Sequence, residues 1–179
     1  TYITNGVHLP TWIAPELLEL YQKYITHDFT DKYDDAALCQ LINGIPDKEL
    51  WDTHQILRRK LIQSMLISAQ QRWAEGEAKP QQILAMGSLL DTEALTIAFV
   101  RRFTEYKRPA LIFHNVDRLK KIVTNPLRPV QIIFAGKSHP ADFASKVLLH
   151  QVYTLATDRS FQGRIAFIED YDMHMARYL

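Results

Sequence analysis

Three short apolar runs constrain this chain most: "ALTIAFV" from residue 94, "VQIIFAG" from 130 and "RIAFIED" from 164. Each has the length of a strand. About 35 residues separate their starts, enough for a crossover helix between parallel strands. Amphipathic segments fill the gaps. Pro109 opens the first, with Leu111, Ile112, Val116 and Leu119 on one side; Phe143, Val147, Leu148, Val152 and Leu155 mark the second. The alternation predicts parallel strands near 95–100, 130–135 and 164–168, joined by right-handed crossovers. Near-continuous apolar runs suit strands buried on both faces. Residues 94–179 thus read as a Rossmann-like βαβαβ unit in an α/β fold.

Residues 1–93 have a helical rhythm and form the other compositional half. Pro15 stands where a first helical turn tolerates it, and "PELLELYQKYI" carries an apolar stripe. "THDFTDKYDD" reads as a solvated acidic loop. Asp47 follows Pro46 as a cap for the longest helix, in which Leu50, His54, Leu57, Leu61 and Met65 recur down to about Trp73. Gly76 and Pro80 in "AEGEAKPQQ" predict a break and a linker.

Composition narrows the classes. With 47% hydrophobic residues the chain can bury a sizeable core. Its 21 basic and 20 acidic residues give no field suited to nucleic acid or to an anionic membrane. Cys39 is the only cysteine, so no intrachain disulfide forms, and a reducing cytoplasm is the expected location. No apolar run nears the ~18 residues of a membrane span. The N-terminal "TYITNGVHLP" lacks the basic head and apolar block of a signal peptide, and the chain reads as a piece of something longer.

Open parallel sheets bind ligands beyond the carboxyl ends of their strands. The three tips here are "RRFTEYKR", "GKSHP" and "EDYDM". They gather Arg101, Arg102, Lys107, Lys137, His139, Glu169, Asp170 and Tyr171. The excess of cations points to a phosphate-bearing ligand, because Arg offers a planar fork and Lys a point charge to phosphate oxygens. Strand-end cations placed for solubility are the plainer alternative. "AGKSHP" is not a P-loop, and no Gly-rich dinucleotide fingerprint is present. The seven histidines fall at no metal-ligand spacing, and the Asp28, Asp31, Asp34, Asp35 cluster lacks the ligand order of a calcium loop, so no metal is expected. His54 lies on the apolar stripe and reads as a packing residue. Cys39 reads as a small buried one.

In their order and spacing, "FVRRFTEYKRP", "IIFAGKSHPAD" and "IAFIEDYDMHMARYL" resemble the α-glucan (glycogen, starch and maltodextrin) phosphorylases. "ITNGVHLPTW" and "WDTHQILRRKLI" fit the same family, closest to its shorter bacterial and archaeal branch. The resemblance implies two Rossmann-like domains facing a cleft. Residues 1–93 would be a mainly helical interdomain and cleft segment, and 94–179 the first part of the C-terminal domain. It implies transfer of a terminal α-1,4-linked glucose to inorganic phosphate, giving glucose 1-phosphate, with pyridoxal phosphate as cofactor. On that resemblance Arg102 and Lys107 hold the substrate phosphate. Arg101, where the family usually has Lys, reaches the cofactor phosphate, and Tyr171 lies near the cofactor. Asp172 stands where the animal enzymes carry Arg. Asn5 and His8 of the "TNGVH" loop line the sugar side, and Lys137 faces the cleft. The cofactor lysine belongs to a Gly-rich segment downstream of this chain, so the isolated piece is expected to be inactive. Glucan and phosphate are the implied partners; homo-oligomerisation of the parent stays open.

Two rival classes stand beside this reading. A nucleotide-sugar glycosyltransferase of the same fold would place similar cations on a diphosphate. A non-catalytic glucan-binding piece would show a row of exposed aromatics, whereas Trp12, Trp51 and Trp73 are well separated in sequence.

Overall fold

The computed structural model describes residues 6–169 and 171–179. They form two compact units, one of residues up to Arg59 with Tyr178, the other Lys60–Arg177 with Leu179.

The first unit is helical: α1 (Leu9–Trp12), α2 (Pro15–Tyr24), α3 (Phe29–Lys32), α4 (Ala36–Gln40) and the opening turns of α5 (Asp47–Ala74). Pro15 starts α2 with its φ pre-set, and Glu16 and Lys23 match the ends of the helix dipole. Glu49, in the first turn of α5, accepts from Lys23 Nζ at 2.7 Å and from Tyr24 Oη at 2.5 Å, joining the end of α2 to the start of α5. The acidic stretch is more ordered than a solvated loop. Phe29 is buried edge-on against Tyr21, ring centroids 5.0 Å apart. Asp28 pairs with Lys32 and accepts from Thr26. Asp35 caps α4 by accepting from the Ala37 N–H at 2.8 Å. The Asp28 and Asp35 carboxylates are thus used locally, as a pair and a cap, beside the buried Phe29.

The second unit is built on a parallel sheet of β1 (Leu95–Val100), β2 (Val130–Ala135) and β3 (Ile165–Ile168) in the order β1-β2-β3. These are the strands predicted from the apolar runs. Period-two alternation serves two cores at once. Ile132, Phe134, Ile165 and Phe167 face a cluster with Phe103, Phe113, Leu119 and Val123, closed by Val152 and Ala156. Ile133, Ala135, Ala166 and Ile168 face Leu61 and Met65 of α5 and Met175 of α9 (Met173–Tyr178). β2 and β3 are therefore covered on both faces. β1 departs from that expectation: Leu95 and Ile97 are exposed, although β3, equally an edge strand among the described residues, is buried throughout.

The crossover helices are α7 (Val116–Val123) and α8 (Phe143–Ala156). Pro109 does not open α7. The chain first makes turns in which Leu111 and Ile112 stay exposed, and α7 begins only after Asn115, whose Oδ1 caps it by accepting from Arg118 N–H at 2.9 Å. Phe113 is the residue these turns deliver to the core. In α8 the inward face is Ser145, Leu149, Val152 and Ala156 rather than the stripe begun by Phe143 and Val147, both exposed. Its register follows from the cap: Asp142 accepts from the Ser145 N–H at 3.0 Å and from its hydroxyl at 2.5 Å, turning Ser145 inward.

The long helix α5 ends at Gly76, where φ is +73°. The Gly76 N–H reaches Trp73 O at 3.1 Å and the Glu77 N–H reaches Arg72 O at 3.0 Å, the paired bonds of a left-handed helix stop. Pro80 then opens α6 (Pro80–Ala85) at its first position.

Candidate functional site

The register makes Val100, Ala135 and Ile168 level across the sheet. The residues that follow, Arg101, Gly136 and Glu169, thus begin three tips at one edge. The first two are laced together beyond the strands. Arg101 N–H donates to Ala135 O at 3.1 Å and Phe103 N–H to Lys137 O at 3.2 Å. Phe103 is wholly buried, with ring centroids 5.7 Å from Phe99 and 5.6 Å from Phe167. Arg101 and Arg102 are thereby held between the end of a strand and a buried aromatic anchor while both remain exposed.

The rest of the first tip is a short turn, Glu105–Lys107. Lys107 is half-buried, with its ammonium 5.5 Å from the centroid of the exposed Tyr106 ring. Arg108 follows at φ 51°, a left-handed conformation that costs a non-glycine residue. Pro109 is buried. On the second tip Lys137 is exposed, and His139 Nδ1 accepts from the Ala141 N–H at 3.1 Å. Among the described residues no carboxylate pairs with Arg101, Arg102, Lys107, Arg108 or Lys137. Among the described residues the edge therefore carries cations with no close ion-pair partner, an arrangement that attracts anions.

The third tip is anchored away from those cations. Glu169 takes a hydrogen-bonded ion pair from Arg72 at 2.8 Å. Burial, and then the Glu169 carboxylate, raises the Tyr153 phenol above its usual 10. Tyr171 is half-buried against the Leu61–Met65 side of the sheet. Asp172 caps α9, accepting from Met175 N–H at 2.8 Å. Asn5 and Asp170 lie outside the described residues. His8 is exposed in the first unit, with Nδ1 2.7 Å from Thr11 Oγ1. His54 is exposed beside Trp51, ring centroids 5.6 Å apart. Among the described residues no three His, Cys, Asp or Glu converge as metal ligands. No helix among them is long and apolar enough to cross a membrane.

Two residues that shape this edge carry little signal in the sequence. Arg72 meets a partner 97 positions away, beyond any local pattern. Gly136 is a lone glycine at a strand end, and that position is the available hint that another backbone passes close by.

The structure is of the open parallel α/β class, in which ligands bind beyond the carboxyl ends of the strands, and here that edge carries exposed cations. The carbohydrate phosphorylase family profile matches residues 1–179, and the chain belongs to that family. It is 48% identical to a glycogen phosphorylase of Aquifex aeolicus (strain VF5) over 178 residues, 99% of this chain and 26% of that protein. It is 40% identical to a maltodextrin phosphorylase of Thermococcus litoralis, covering 98% of this chain and 20% of the relative. A glycogen phosphorylase of Mycobacterium tuberculosis (strain ATCC 25618 / H37Rv) is 36% identical, covering 99% and 20%. The chain thus spans about a quarter to a fifth of the length of these relatives.

Proposed function

We propose that this chain is part of a cytoplasmic α-1,4-glucan phosphorylase, which moves a terminal glucose from a glucan to inorganic phosphate and releases glucose 1-phosphate. In this reading residues 1–93 are a mainly helical cleft segment. Residues 94–179 are the first part of a C-terminal Rossmann-like domain that faces another across a cleft. The carrying observation is the set of exposed cations at the carboxyl edge, which pair with no carboxylate among the described residues, in a chain whose relatives are named glycogen and maltodextrin phosphorylases.

Arg102 and Lys107 hold the substrate phosphate. Asn5 and His8 line the sugar side of the cleft, and Lys137 faces the cleft. Arg101 reaches the phosphate of pyridoxal phosphate, and Tyr171 lies near that cofactor. The donor set fits such a group, since exposed cations with no carboxylate partner among the described residues suit a phosphate. When bound, pyridoxal phosphate supplies a phosphate that exchanges a proton with the substrate phosphate. Two phosphates repel strongly once water is excluded, and the strand-end cations offset that repulsion. The C1–O4 bond breaks as the substrate phosphate gives its proton to the leaving O4, and a phosphate oxygen then bonds to C1. The fixed cations favour the charge that develops on the way. No carboxylate pair of the hydrolase kind is needed.

Substitutions in the full-length enzyme containing this chain test the reading. Arg102→Ala removes a charge-assisted contact of a kind worth roughly 2–5 kcal/mol, so kcat/KM for phosphate should fall about 30-fold to several thousand-fold. Arg102→Lys should restore only part, because the fork is lost. Arg108→Ala should change it less than about threefold. A silent Arg102→Ala beside a crippling Arg108→Ala would overturn the assignment.

A further inference from the structure

We infer that Gly136 is a positioning residue for the first cation tip, setting the place of Arg101 and Arg102 through its lack of a side chain; the inference rests on the proposed function of that tip. Gly136 is buried, with φ +151°, between the two backbone bonds that lace the tips. A Cβ built there meets the Arg101 carbonyl oxygen at 1.9 Å and its carbon at 2.9 Å. Both atoms belong to the peptide that joins Arg101 to Arg102, so no rotamer change relieves the contact. The peptide itself has to retreat, by more than about 1 Å, before carbon and oxygen reach the roughly 3.3 Å they tolerate.

That movement has nowhere harmless to go. On one side the Arg101 N–H is tied to Ala135 O; on the other Phe103 is locked among Phe99 and Phe167. A shift of the joining peptide therefore rotates or displaces the two arginines relative to the second tip. Displacement of this size in a binding constellation costs on the order of 100-fold in rate. Other glycines are strained without this consequence. Gly163, at φ +71°, precedes β3 at the opposite edge of the sheet, and its added Cβ would meet only the Leu89 side chain, at 3.0 Å. It makes a control for a positive-φ glycine away from the tips.

The experiment compares Gly136→Ala, Gly163→Ala and Phe103→Leu in the full-length enzyme, with initial phosphorolysis rates recorded while inorganic phosphate and glucan are varied in turn. Thermal unfolding is followed with and without inorganic phosphate. Gly136→Ala should lose about 100-fold in kcat/KM for phosphate and most of the phosphate-induced rise in Tm, with the glucan KM within about threefold of wild type. Gly163→Ala should lower Tm and leave the phosphate KM unchanged. If Gly136→Ala is merely less stable, with wild-type phosphate kinetics, the inference is overturned while the function stands. If the unsubstituted enzyme shows no phosphate-dependent release, both fall together. Should Gly136→Ala not fold, Phe103→Leu decides: a raised phosphate KM at unchanged glucan KM supports the positioning role, and wild-type phosphate kinetics overturns it.

Discussion

Gln131 is wholly buried in the central strand, yet all of its hydrogen-bonding groups shown are used. Its amide donates to Asp91 O at 2.9 Å and to Thr96 Oγ1 at 2.8 Å, and its carbonyl accepts from Asp91 N–H at 2.8 Å. The side chain thus clips the segment entering β1 to β2. Gln131→Leu keeps the volume roughly and strands these partners, which should cost about 1–3 kcal/mol, read as a lower urea midpoint at unchanged slope. At the surface, Asp28 behaves differently. Lys32 and then Thr26 hold its carboxyl down from an ordinary 3.8 to about 2. A depressed carboxylate stabilises fully above its ordinary value, and the contribution disappears as pH falls through about 2. Asp28→Asn should therefore lower Tm at neutral pH and flatten the loss of Tm between those two values. A titration of Tm against pH checks it, and an Asn variant with the same acid slope as wild type would refute the pairing.

Among the elements, β1 is the least protected. Its side chains Leu95 and Ile97 are exposed, and one side of its backbone lacks a strand neighbour among the described residues. An exposed apolar edge invites pairing with another chain. The 179-residue chain should self-associate as its concentration rises, and Leu95→Lys with Ile97→Lys should suppress this in sedimentation velocity. Association unchanged by the two lysines would place the contact elsewhere. The helices show how far a pattern reads. Pro15 and Pro80 each open a helix, and Gly76 ends one, because these residues act on their own φ. Apolar spacing predicts the inward faces of α7 and α8 only in part: Val116, Leu119, Val152 and Leu155 pack on the core, while Leu111, Ile112, Phe143 and Val147 stay exposed. Asn115 and Asp142 set where those helices begin, and a shift of the start rotates every later side chain.

Across the molecule, buried apolar side chains are distributed unequally between the two units. In the first, up to Arg59, Leu20, Phe29 and Ile45 are the buried hydrophobics, whereas the second holds both clusters that flank the sheet. Local opening free energy follows such density. Hydrogen exchange should accordingly find β2 and β3 the slowest amides and α1 to α4 much faster. Equal protection in the two units would show that cooperativity does not follow the cores.

Strand order along the chain, the parallel α/β class and the basic strand ends were all readable from sequence, because each depends on local periodicity or on residues close together in the chain. The family follows from the same runs, and residues 1–179 match its profile. Tertiary structure alone decided what spans long separations. It sent Glu169 to Arg72 rather than toward the tip cations, left Leu95 and Ile97 of β1 exposed, and packed Phe29 inside a stretch that reads as acidic loop. It also pressed the Arg101 carbonyl onto Gly136. The reason is geometric: a sequence fixes which groups a segment carries and how they alternate, while the distance between two tips depends on register across strands that lie tens of residues apart.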